Sequence, residues 1–142
     1  TIALLSATLT SCRHDASTNA EANASILVAS GGGYAGVYSG YRVLRDGRTE
    51  YWVQAANGSD SLSPMGSLGI DTVDYLFARL RYIGFHKTKD SQPGNLTKII
   101  RYVNNDVTHE SRWGDAQSSP PVELESYYQD VMKLMKSRFP DN

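Results

Sequence analysis

The residues able to do chemistry in this chain are few and far apart. Its three histidines, His14, His86 and His109, form no i, i+4 pair and no His-Glu-x-x-His arrangement, so their spacing offers no zinc site. Ser67 lies in Gly66-Ser67-Leu68-Gly69, which lacks the glycine two residues before the serine that a nucleophile elbow needs. Asp71 and Asp74 fall where a helix should begin, and there capping and the helix dipole account for acidic residues without catalysis. Gly31-Gly32-Gly33-Tyr34-Ala35-Gly36 contains the G-x-G-x-x-G spacing of nucleotide loops. Such a loop must open a helix, however, and a phosphate loop also carries a lysine. Here Val37-Tyr38-Ser39-Gly40-Tyr41 continues as strand, so the glycines read as a tight bend between two strands. No catalytic set, metal or cofactor is expected, and the chain reads as a non-enzyme.

Two features are instead suited to contact. Tyr34 and Tyr38 flank the glycine bend in a chain with nine tyrosines, and Tyr34, held between Gly33 and Ala35-Gly36, should be exposed. Trp113-Gly114-Asp115 is a second candidate, as an exposed corner at a strand end. With 14 basic and 15 acidic residues spread along 142 positions, the net charge of -1 provides no footprint for nucleic acid. One domain is the expectation at this length.

The first eleven residues carry Ile2, Ala3, Leu4, Leu5, Ala7 and Leu9 and no charge, which fits the apolar stretch of an export signal. Leu9-Thr10-Ser11-Cys12 closes that stretch on the only cysteine. This run resembles the lipobox of bacterial lipoproteins, which implies that Cys12 is acylated and anchors the protein to a membrane. Arg13 is not the acidic residue that resembles an inner-membrane retention signal, so the outer membrane is the expected location. The small polar run 13–24 reads as a tether, and the single folded domain is expected over 25–142.

Within that domain, Ser25–Ser30 reads as a strand and 37–54 as a hairpin around Arg45-Asp46-Gly47. A two-residue loop would mix Glu50 into the apolar face. A three-residue turn with Gly47 as a bulge instead gathers Tyr41, Val43, Thr49, Tyr51 and Val53, and sets Arg42 opposite Glu50. It predicts Gly47 at positive φ and Tyr41 paired with Tyr51. Residues 55–67 read as a loop. Asp71 is expected to cap a helix carrying Val73, Leu76, Phe77, Leu80 and Ile83, with Gly84 ending it. A second hairpin follows, Thr97–Val103 and Val107–Trp113 around Asn104-Asn105-Asp106, its register open because both faces of the first strand are apolar. After Pro120-Pro121, a last helix carries Leu124, Tyr127, Tyr128, Val131, Leu134 and Met135. The order β-β-β-α-β-β-α predicts an α+β domain, an antiparallel sheet with both helices packed on one face.

Ser30 to Gly36, followed by this order of elements, resembles small bacterial envelope lipoproteins. It is also similar to emfourin-type inhibitors of thermolysin-like metalloproteases, whose Ser-Gly-Gly-Phe-Ala-Gly segment matches residues 30–36 with one glycine fewer and phenylalanine in place of tyrosine. The first resemblance implies a membrane-anchored, non-enzymatic binding domain with an envelope protein as partner. The second implies inhibition of a protease partner. In both, residues Gly31, Gly32, Gly33, Tyr34, Ala35 and Gly36 would make the contact.

Overall fold

The computed structural model describes residues 20–88, 94–114 and 120–141. The protein is an α+β domain: six antiparallel strands in the order β4-β3-β2-β1-β5-β6, with two helices against one face. The strands are β1 (Ser25–Gly32), β2 (Val37–Leu44), β3 (Arg48–Gln54), β4 (Asp60–Ser67), β5 (Leu96–Asn104) and β6 (Val107–Trp113), and the helices are α1 (Ile70–Tyr82) and α2 (Val122–Arg138). α1 carries the chain from edge strand β4 across to β5, which inserts beside β1. β1 is therefore a central strand, covered on both faces, and this explains why Ile26-Leu27-Val28-Ala29 is continuously apolar.

Strand alternation sorts these residues between two layers. On the helix side Ile26, Val28, Tyr41, Val43 and Ile100 meet Val73, Leu76, Phe77 and Leu80 of α1 and Leu124, Tyr127, Val131 and Met135 of α2. On the other side Leu27, Ala29, Trp52 and Ile99 form a thinner cluster, with Tyr38 packed on it. Neither α1 nor α2 covers that cluster; charged pairs lie over it. Arg42 pairs with Glu50 at 3.0 Å, Glu110 bridges Arg101 and Arg112, and the Arg101 guanidinium lies 5.5 Å from the centre of the Trp52 ring. The alkyl stems and planar heads of arginine shield apolar surface while keeping the charge wet.

The first hairpin forms in the predicted register, with Tyr41 opposite Tyr51 and Arg42 opposite Glu50. Gly47 has φ 94, its N–H donates to the Leu44 carbonyl, and the two tyrosine rings meet edge to face at 5.7 Å. Gly84 at φ 74 ends α1 as expected. The second hairpin, whose register the sequence leaves open, sets Tyr102 opposite His109 and Ile100 opposite Ser111. Asn105 takes a left-handed φ of 51 in its two-residue turn, a conformation that asparagine tolerates.

Three expectations need correction. Within the 55–67 loop, residues 60–67 are strand β4, adding a sixth strand at the sheet edge. Its residues are nearly all exposed, so Ser, Pro and Gly suffice where a buried strand would show an apolar face. Pro64 is tolerated because an edge strand leaves half its N–H groups unpaired, and Met65 is the extra residue of a bulge opposite Thr49 and Glu50. Asp71 is not the cap of α1: Gly69 holds that position, and Asp71 stands in the first turn, where the dipole still favours it. The last residues of the supposed tether, 20–24, are packed onto the domain. Ala24 is buried and bonded to Arg45 through its carbonyl, and Glu21 meets Arg81 at 2.6 Å and the Tyr102 hydroxyl at 3.2 Å.

Candidate functional site

The β1–β2 connection projects from one end of the sheet, between its two central hairpin strands. β1 continues through Gly31 and Gly32, beyond the predicted end at Ser30, and a single 3-10 turn, Gly33–Ala35, closes the loop. A side chain at position 31 would put Cβ 2.1 Å from the Val37 carbonyl oxygen, so the strands approach as closely as glycine alone permits. Gly32, Gly33 and Gly36 take φ values of 98, 62 and 60, and the Gly36 N–H donates to the Gly33 carbonyl at 3.3 Å. As the sequence indicates, the loop leads into a strand and opens no helix.

Tyr34 stands at the apex and is fully exposed. The register through Gly32 places Val37 on one side of that residue and Leu96 on the other, on the same face of the sheet, and these side chains are 41% and 60% exposed. Tyr34, Val37 and Leu96 thus make an apolar tip. Residues 31–41 contain no charge, and the tip is electrically neutral.

Beneath the tip, α2 is tied to the sheet by one carboxylate. Glu125 accepts hydrogen bonds from Lys98 at 2.5 Å, from Trp113 Nε1 at 2.6 Å and from Gln129 at 2.7 Å. Partial burial opposes its ionisation, but the donors from Lys98, Gln129 and Trp113 outweigh this and hold the carboxyl below the usual glutamate range. Tyr128 adds to the brace, hydrogen-bonded to Ser30 and edge to face with Trp113 at 5.7 Å. The loop is therefore mounted on a packed base.

The structure separates the sequence candidates clearly. Residues 31–36 form one continuous tip with Tyr34 outward, while Tyr38 turns to the opposite face, half-buried beneath Arg112. Trp113 does not form an exposed corner: it is buried against α2, because its indole N–H has a carboxylate partner there. Asp74 pairs with Arg45 at 2.5 Å. His86 and His109, 23 residues apart in sequence, line one cavity, and no cluster of three or more metal-ligating side chains occurs among the described residues. Cys12, His14 and Asp115 lie outside the described residues. Sequence reasoning missed Leu96, which reaches the tip only through the β1–β5 pairing; its one signal is a leucine immediately after the Pro93-Gly94-Asn95 turn. No described helix is long and apolar enough to cross a membrane. No protein-family model and no curated protein matches this chain.

Proposed function

We propose that this protein is a non-enzymatic binding module, held at a bacterial envelope membrane through a lipid on Cys12, that engages a protein partner with the Tyr34 tip. The carrying observation is an exposed aromatic side chain on a tight glycine loop, flanked by the exposed Val37 and Leu96. Aromatic anchors at the centre of an apolar patch dominate binding energy at many interfaces. A loop fixed before binding loses little entropy on docking. The anchor reading rests on Leu9-Thr10-Ser11-Cys12 and the uncharged run before it.

The geometry is compatible with both attachments at once. β1 runs directly from the side where the chain enters to the tip, a span of about 23 Å at the usual rise of a strand. A lipid on Cys12 would hold the entering end towards the membrane and present Tyr34 away from it. The partner is then a protein of the envelope that approaches from the far side. Inhibition of a thermolysin-like metalloprotease is a second reading, favoured by the convex shape of the loop with an aromatic residue at its apex, which suits a substrate cleft.

Photo-crosslinking tests this directly. A benzophenone side chain placed at Tyr34 in the full chain, in intact envelopes, should capture a discrete protein; the same group at Asn105, at the opposite end of the sheet, should capture none. Equal capture from both positions, or none from Tyr34, contradicts the proposal. Radiolabelled palmitate should enter the parent and not Cys12→Ser. Stoichiometric slowing of a thermolysin-like protease by the full chain, lost in Tyr34→Ala, would select the inhibitory reading.

A further inference from the structure

A cavity of about 140 Å³ opens at the other end of the sheet from the tip. Its walls come from four separate parts of the chain: Phe77 and Leu80 of α1, Phe85 of the following turn, Tyr102 of β5 and His109 of β6. Two edge-to-face ring pairs shape it, Phe77 with Tyr102 at 6.3 Å and Phe85 with His109 at 4.8 Å. Glu21, from the arm before β1, stands at its rim. The volume is close to that of an apolar cavity known to accept benzene, about 150 Å³.

The polar groups at the rim limit the chemistry of an occupant. The Glu21 carboxylate is neutralised by Arg81 at 2.6 Å and approached by Arg45 at 3.8 Å, so the rim as a whole favours neither a free anion nor a free cation. Among the described residues its Oε1 accepts the 3.2 Å bond from Tyr102, and a carboxylate oxygen has a second lone pair to offer. The Thr88 hydroxyl donates to the Phe85 carbonyl at 2.7 Å and lies 3.4 Å from His109 Nε2. Glu21 Oε1 thus offers an acceptor beside aromatic walls, and Arg81 and His86 bring donors to the same lining.

We infer that this cavity is a binding site for a small neutral monocyclic aromatic molecule carrying a hydrogen-bond donor, of the phenol or aniline class. The ring fills the space between the two ring pairs, and its O–H or N–H points to Glu21 Oε1 at the rim. The inference does not depend on the role of the tip.

Phenol titrated into the full chain, followed by amide NMR, tests it. Saturable shifts are expected at Phe77, Phe85 and His109, with a dissociation constant of about 1 mM or tighter, an affinity within reach of so few atoms. Benzoate, which brings a second carboxylate to Glu21, should bind at least about tenfold more weakly. Leu80→Phe should weaken phenol by about tenfold or more by filling the space. Should that variant fail to fold, Glu21→Ala should erase most of the preference for phenol over benzene. Shifts that do not saturate, saturation at residues elsewhere, benzoate binding as tightly as phenol, or an unchanged phenol preference in Glu21→Ala would each overturn the assignment.

Discussion

At one end of the sheet Tyr34, Val37 and Leu96 meet water without a charged residue between positions 31 and 41, whereas at the other Glu21 sits among Arg45, Arg81 and Tyr102. Both ends close strand connections, and both depend on residues with positive φ. At the far end Asp46 receives Arg48, Asp74 receives Arg45 and the incoming arm supplies Glu21 to Arg81, so most polar groups there pair with one another, although Arg45 Nε and Asn104 Oδ1 are buried without a hydrogen bond among the described residues. At the tip the glycines supply the tight bend and the side chains of Tyr34, Val37 and Leu96 stand exposed. One end shows how this domain finishes a surface for itself; the other leaves its apolar side chains in water.

The largest effect should come from damaging the frame that holds the tip. A Cβ at Gly40 would lie 2.0 Å from the Val28 carbonyl oxygen and 2.5 Å from the Ala29 Cα, both backbone atoms that cannot turn aside. Gly40→Ala should therefore cost about 3 kcal/mol or more by chemical denaturation, as overpacking of a buried site does. A cost near zero would show that the central hairpin is far more yielding than a rigid tip requires.

Next comes the self-satisfied end. Glu21→Ala removes the partner of Arg81 and the acceptor of Tyr102, and should lower stability by about 1–2 kcal/mol. The loss should shrink when Arg81 is also replaced, because the two changes share one interaction. Full additivity would mean that the arm contributes by packing alone.

The brace under the tip should show itself in the pH dependence. Glu125 and Glu110 both have carboxyl pKa values below the glutamate norm; burial opposes ionisation in each, but is outweighed by Lys98, Gln129 and Trp113 for Glu125 and by Arg112 and Arg101 for Glu110. A depressed folded-state pKa gives stability that is complete above the unfolded value and is lost as pH falls through the folded one. Stability should thus decline below about pH 4.3, the unfolded glutamate value, and Glu125→Gln should flatten that decline. An unchanged acid limb in the variant would remove Glu125 from the account.

The smallest effect on folding is expected at the most exposed residue. Tyr34→Ala should change stability by less than about 0.5 kcal/mol, since the Tyr34 side chain is fully exposed.

Local signals carried the hairpin, the helices and the bend. Gly47 between alternating strands fixed a register that could be chosen by keeping Glu50 off the apolar face, and the structure has that register. The 3.6-residue spacing from Val73 to Leu80 and from Leu124 to Met135 identified both helices. Strand β4 was illegible because an exposed edge strand has no apolar alternation to display, and Pro64 argued against it. For the site, the glycine spacing showed a bend and Tyr34 as its exposed member. Leu96 was hidden because its place beside Gly32 depends on β5 crossing to the far side of β1, which no local pattern announces. The cavity was hidden for the same reason, since its walls meet only once α1, β5, β6 and the arm are assembled.

The most direct test of the central claim pairs two observations on one variant. The full chain and Tyr34→Ala, matched for denaturation midpoint, are compared for crosslinked recovery of a partner from native envelopes. Equal stability with recovery reduced at least about tenfold in the variant is the predicted result, the loss expected of a hot-spot aromatic. Equal stability with equal recovery would contradict it, and the tip would then be a bend with an exposed tyrosine and no role in binding.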